Sequence, residues 1–171
     1  MADFTIALNF VLDNEDRPRR YNITTDNNGG QVVAGINSKS FPDWVAKIAA
    51  VPPAQRGPIV AQFYETELWL PMHLGELDSQ DVANRVLDME TNAGEPKAAP
   101  ELQRAINALE PGSVAVDGHV GPLTIAAANK EDPVALLNAF RDQRTAYYTT
   151  ILAENPNNEL YRRAWLTRAE A

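Results

Sequence analysis

Residues 77–94 read LDSQDVANRVLDMETNAG. Asp78 or Ser79 is placed to cap a helix, Val82, Val86 and Met89 recur at helical spacing, and Gly94 followed by Pro96 closes the pattern. This is a helix with one apolar stripe, and the chain on either side repeats the style. Upstream, Phe4, Leu8, Val11 and Leu12 form a first amphipathic helix that runs to Asn14 or Glu15. From Asp16 to Ser40 the residues are Pro, Arg, Asn, Asp, Thr and Gly with short apolar pieces, which suits turns or a small hairpin. Pro42 opens a short helix that Pro52 and Pro53 end, and a further segment spans Ile59 to Leu70 between Pro58 and Pro71.

Downstream, Pro100 opens a helix with Leu102, Ile106 and Leu109 on one face. Asp117-Gly118 signals a turn, and Gly121-Pro122 starts an alanine-rich helix. From Pro133, Leu137, Phe140, Arg144, Tyr147 and Ile151 step by three and four residues until Asn155-Pro156, and Leu160 to Trp165 resumes the pattern. The sum is six to eight helices with little strand. The expected fold class is all-α, a multi-helix single domain with a minor β-hairpin or loop region after the first helix.

Composition narrows the functions. The chain of 171 residues carries 15 Lys+Arg against 23 Asp+Glu, a formal net charge of -8. Nucleic acid and anionic membrane surfaces are therefore not expected partners, and a polymer partner would be held by hydrogen bonds and stacking rather than by charge. No cysteine is present, which removes disulfides and thiol nucleophiles. His73 and His119 lie far apart with no second ligand at helical spacing, so neither a metal nor another cofactor is expected. The N-terminal stretch has no basic lead-in and its apolar residues are periodic, so neither a secretory signal nor a membrane span is expected.

One position invites chemistry. Glu15 ends the first helix, and a carboxyl held there among apolar neighbours could keep a proton near neutral pH, as glycosidic cleavage requires. The bland alternative is a solvated charge paired with Arg17, Arg19 or Arg20. Likewise Asp117-Gly118 reads as a tight turn, and Trp44, Trp69, Tyr147, Tyr148 and Trp165 read as core aromatics or as stacking surfaces for sugars.

The stretches ALNFVLDNE, Tyr21 and DNNGGQVVAGI resemble the opening VLxxEGGY…DPGGxTxxGI of glycoside hydrolase family 108, the lysozyme-like N-acetylmuramidases. LWLPMHLGELDSQDVANRVLDMETNAG resembles the family's YWxP…QxVAxxLLDMAVNxG. LQRAINALEPGSVAVDGHVGPLTIAAAN and FRDQRTAYYTTILAENPNNELYRRAWLTRA resemble its C-terminal segment, with LQxAL…VDGxxGPxT and RxxYYxxLxxxxPxxxxFxxGWxxR. The resemblance runs in order along nearly the whole chain. It implies a lysozyme-like region at 1–95 and a predicted peptidoglycan-binding helical region at 96–171, packed as one unit.

By that resemblance Glu15 is the general acid on the β-1,4 link between N-acetylmuramic acid and N-acetylglucosamine. The second carboxylate is Asp26, with Asp16 and Asp88 as alternatives and ungapped counting falling on Asn27. Tyr21, Gly29, Gly30, Asp88 and Asn92 are the expected substrate-binding residues. Departures gather in the same loop: Asp16 and Arg17 replace two glycines, three extra residues precede Tyr21, Val32 stands for a threonine and Ala34 for an aromatic. Two readings follow, a muramidase acting through Glu15, or a peptidoglycan-binding or interaction protein on the same scaffold with impaired catalysis. Peptidoglycan is the expected partner in both, the protein being a monomer, made in the cytoplasm without a signal peptide and reaching the wall through a holin or a secretion apparatus.

Overall fold

The computed structural model describes residues 1–26, 29–93 and 97–170. Helix α1 (Phe4–Glu15) begins where the Asp3 carboxylate accepts the Ile6 amide, and buries Ala7, Leu8, Val11 and Leu12. Phe4 leans on Trp69 with ring centroids 5.6 Å apart. Asp16 ends the helix, its amide donating to Leu12. The polar loop then folds back on α1: Arg19 pairs with Asp13 at 2.6 Å, and the Asp16 carboxylate accepts the Tyr21 amide at 2.6 Å.

A small antiparallel sheet follows, β1 (Thr24–Thr25), β2 (Gln31–Val33) and β3 (Ile36–Asn37), with Thr24 opposite Val32 and Val33 opposite Ile36. Ala34 and Gly35 connect β2 to β3 with φ of 48° and 80°. Two consecutive positive φ values in a two-residue connection give the turn whose twist matches a hairpin. The minor β region expected between Asp16 and Ser40 is thus a three-stranded sheet.

Helix α2 (Pro42–Ala49) buries Val45 and Ile48. Helix α3 (Gly57–Phe63) runs on as a π-helical segment through Tyr64–Trp69, so the expected helix over 59–70 exists but changes its winding halfway. Ser79 caps α4 (Gln80–Ala93) by accepting the Val82 amide at 3.3 Å. The expected closure at Gly94 and Pro96 lies outside the described residues.

Helix α4 is more deeply set than a single stripe would require. Every residue from Val82 to Glu90 is buried, including Asn84, Arg85, Asp88 and Glu90. Helices α1, α5 (Ala98–Leu109) and α7 (Pro133–Glu154) all pack on it, so its polar residues meet partners from neighbouring helices instead of water. Helix α6 (Pro122–Ala128) leans on α5, and α8 (Arg162–Glu170) packs along α7. Eight α-helices among the described residues against one small sheet make the fold predominantly all-α. None of these helices is long and apolar enough to cross a membrane.

The Asp117-Gly118 turn is anchored from within. Gln103, 1% exposed, donates to the Asp117 carboxylate at 2.7 Å and to the His119 carbonyl at 2.9 Å, and accepts the Gly118 amide at 3.0 Å. The His119 amide and Gln103 together hold the Asp117 carboxyl below its ordinary range. This turn therefore has a full structural explanation. Gln103→Leu strands the Gly118 amide and removes the clamp, which should cost about 2–3 kcal/mol. The melting temperature should fall by roughly 4–12 °C, and an unchanged melting curve would show that the clamp contributes nothing.

Candidate active site

Glu15 closes α1 at a point where four other elements converge. Its Oε1 accepts a hydrogen bond from Arg168 Nη2 of α8 at 2.6 Å, and the two side chains are only 18% and 16% exposed. The carboxylate is therefore ion-paired, as the bland reading held, yet its partner is none of Arg17, Arg19 and Arg20. Gly35 presses on it from the β2–β3 turn: a Cβ at Gly35 would lie 2.8 Å from Tyr64 Oη and 3.0 Å from Glu15 Cγ. Glycine is required there both by φ and by space.

Tyr64 is fully buried and donates its hydroxyl to the Ala34 carbonyl at 2.7 Å. Burial first, and then the charge of Glu15, pushes its phenol well above the ordinary value. Tyr64 thus remains a neutral donor that fixes the hairpin turn against Glu15.

Beneath this pair lies Asp88 of α4, 1% exposed. Arg168 grips it through Nε at 2.9 and 3.0 Å and through Nη2 at 2.7 Å. Arg144 of α7 adds a bond at 2.8 Å, and Asn14 of α1 adds another at 3.0 Å. Asn92 accepts from Arg168 Nη1 at 3.3 Å and donates to the Tyr148 hydroxyl at 2.9 Å. Burial alone would lower the Arg168 guanidinium, but the hydrogen bonds and charge of Asp88, followed by those of Glu15, raise it above its ordinary value. Its positive charge is permanent.

The other expected residues make contacts within the loop and the sheet. Asp26 accepts the Gly30 amide at 2.8 Å through Oδ1 and the Asn37 side-chain amide at 2.7 Å through Oδ2, so it ties the start of β2 to the end of β3. Gly30 is small because a Cβ would meet Asn37 Oδ1 at 2.9 Å, and Gly29 turns the chain at a φ of 80°. The Tyr21 ring packs on Gly57 while its carbonyl accepts from Arg56 at 2.6 Å, which braces the loop on α3. Asp16 serves the same loop through the amides of Arg20 and Tyr21.

Two depressions flank the Glu15–Arg168 pair. One, of about 260 Å³, is lined by Gly35, Asn37, Phe41, Phe63, Glu90 and Thr91. The other, of about 530 Å³, is bounded by Asn14, Leu160, Arg163, Thr167 and Arg168. Gly35, which packs close to Glu15, lines the first, and Arg168, which binds Glu15, lines the second. Among the described residues no cluster of three His, Cys, Asp or Glu comes together as a metal site.

Arg168, Tyr64 and Gly35 were not among the expected site residues. A trace of Arg144 was visible, as the one charge on the apolar stripe of the last long helix. A cation on a buried face requires a partner.

Residues 8–94 match the family described as Glycosyl hydrolase 108, and residues 97–170 match the Predicted Peptidoglycan domain. Among solved structures, SagA from Brucella abortus is similar with a TM-score of 0.74 at 20% identity, over 98% of this chain and 89% of that one. At that identity the likeness speaks for the fold alone. No curated protein sequence matches the chain significantly.

Asp88→Asn removes the charge that compensates two buried guanidiniums. Breaking a buried pair in this way should cost about 3–5 kcal/mol. Urea denaturation will measure it, and a loss under 1 kcal/mol would mean that Asp88 is not the electrostatic anchor of the four helices.

Proposed function

The chain belongs to the Glycosyl hydrolase 108 family, and on that premise we propose that it is a muramidase that cleaves the β-1,4 bond of peptidoglycan between N-acetylmuramic acid and N-acetylglucosamine. The observation that carries this reading is the setting of Glu15: a largely buried carboxyl at a helix end, whose neighbours Gly35 and Arg168 each line a depression, with Oε1 engaged by Arg168 and no hydrogen bond on Oε2 among the described residues. In this reading Oε2 is the oxygen that meets the sugar.

In this reading a protonated Glu15 donates from Oε2 to the glycosidic oxygen, so that N-acetylglucosamine leaves as the free 4-hydroxyl. Positive charge develops at C1 of the muramic acid, water adds its hydroxyl there, and the second water proton passes to a carboxylate. Asp26 is proposed as that second carboxylate. It stands beside Asn37, which lines the depression next to Gly35. Tyr21, Gly29 and Gly30 contribute by holding the loop and hairpin that form one wall, and Asp88 and Asn92 contribute by fixing Arg168. The charge of -8 suits a polymer held through hydroxyl and amide groups rather than through ion pairs. Action at the bacterial cell wall follows from the substrate.

The test is digestion of purified peptidoglycan by the protein and by Glu15→Gln, with mass spectrometry of the reduced fragments. Fragments ending in reduced muramic acid should appear with the parent protein and fall by a factor of 100 or more with the variant, consistent with loss of a general acid. Equal release would remove Glu15 from the mechanism. Retained binding to insoluble wall with no release by either protein would replace the muramidase with a wall-binding protein.

A further inference from the structure

We propose that Arg168, which reaches Glu15 from the C-terminal helix, is a positioning residue that sets the direction of the catalytic carboxyl, so that the 97–170 segment completes the active site instead of serving as a separable wall-binding module. This rests on the muramidase reading of Glu15.

The geometry of the fork carries the inference. Arg168 places Nε and Nη2 on Asp88, Nη1 on Asn92 and Nη2 also on Glu15. All three guanidinium nitrogens are engaged, and a planar fork so held has no rotational freedom left. Asp88 is itself immobilised by Arg144 and Asn14. The position of Glu15 Oε1 is therefore dictated from α4 and α7 through α8, and Oε2 is aimed by difference. A glutamate has three rotatable bonds at the end of a helix, and without such a tether it would sample several directions.

The same segment places Arg168 securely. Tyr148 of α7 stacks on Trp165 at 5.6 Å, and Trp165 stacks on Tyr161 at 5.2 Å, which lays α8 along α7. Ala169, the neighbour of Arg168, is fully buried. These contacts all lie within the part of the chain that matches the Predicted Peptidoglycan domain, whereas Glu15 lies in the part that matches the hydrolase family.

The experiment compares full-length protein with Arg168→Gln, Arg168→Lys and the surface control Arg162→Gln, each confirmed as folded by circular dichroism. On purified peptidoglycan, Arg168→Gln should lower kcat at least 30-fold with KM changed less than threefold. Arg168→Lys should recover little of this, since an ammonium cannot form the fork, and Arg162→Gln should match the parent. In parallel, the side-chain carboxyl carbon of Glu15 is observed by 13C NMR at one fixed pH, which needs no activity. Its resonance should move or broaden in Arg168→Gln and stay in place in Arg162→Gln, because the contact with Arg168 Nη2 is lost only in the first. An unchanged or higher kcat in Arg168→Gln would make Arg168 a block on Glu15 and overturn the proposal. If the parent cleaves nothing, the muramidase reading fails, and an unchanged Glu15 resonance in Arg168→Gln would independently overturn the positioning contact.

Discussion

The carboxylate of Asp88 is the constraint on which the rest of the structure depends. A lone carboxylate at 1% exposure would cost several kcal/mol, and only well-placed cations and hydrogen bonds offset that. Here the partners come from α7, α8 and α1, namely Arg144, Arg168 and Asn14. The three elements are separated widely along the chain, so satisfying Asp88 fixes their mutual arrangement. Among the described residues, Arg144 Nε and Nη1 have no hydrogen-bond partner despite full burial, so part of the guanidinium's desolvation is not offset there.

That placement explains how the two family segments pack against each other. Helix α7 packs on both α4 and α5, and α8 returns along α7 to reach the end of α1. The depression on the α8 side of Glu15 is built partly from Asn14 and partly from Leu160 to Arg168. A chain cut near residue 95 would keep Glu15, Tyr64 and the hairpin but leave Asp88 without both of its guanidiniums. Its burial would then be unsupported, and α4 would have to shift or take in water.

Much of the architecture was legible in the sequence because it depends on local periodicity. The stripe of Leu8, Val11 and Leu12 and the cap at Ser79 are short-range patterns, and α1 and α4 follow them. Glu15 was legible through a motif that fixes residue types in order. What was hidden depends on distance along the chain: Arg168 stands 153 residues from Glu15, and no spacing rule links them. The contact of Gly35 with Glu15 was hidden for the same reason, since a glycine in a hairpin turn is already explained by φ. Burial of α4 on all sides was hidden because its polar residues imitate a solvent face until their partners are known.

The changed residues of the loop can now be weighed by where they lie. Asp16 and the extra residues before Tyr21 are folded against α1 and α3 by Arg19–Asp13 and Arg56–Tyr21 contacts, on the loop's own framework. Ala34 contributes its carbonyl to Tyr64, a contact that any residue tolerant of positive φ could make. Val32 sits half-buried in β2, opposite Thr24 and Asn37, the latter lining the depression. A missing hydrogen bond there is worth about 0.5–1.5 kcal/mol, roughly a factor of 2 to 13 in rate or affinity. That is small against the loss expected from removing a general acid. The groups nearest Glu15, Gly35 and Arg168, are untouched by the changes in the loop.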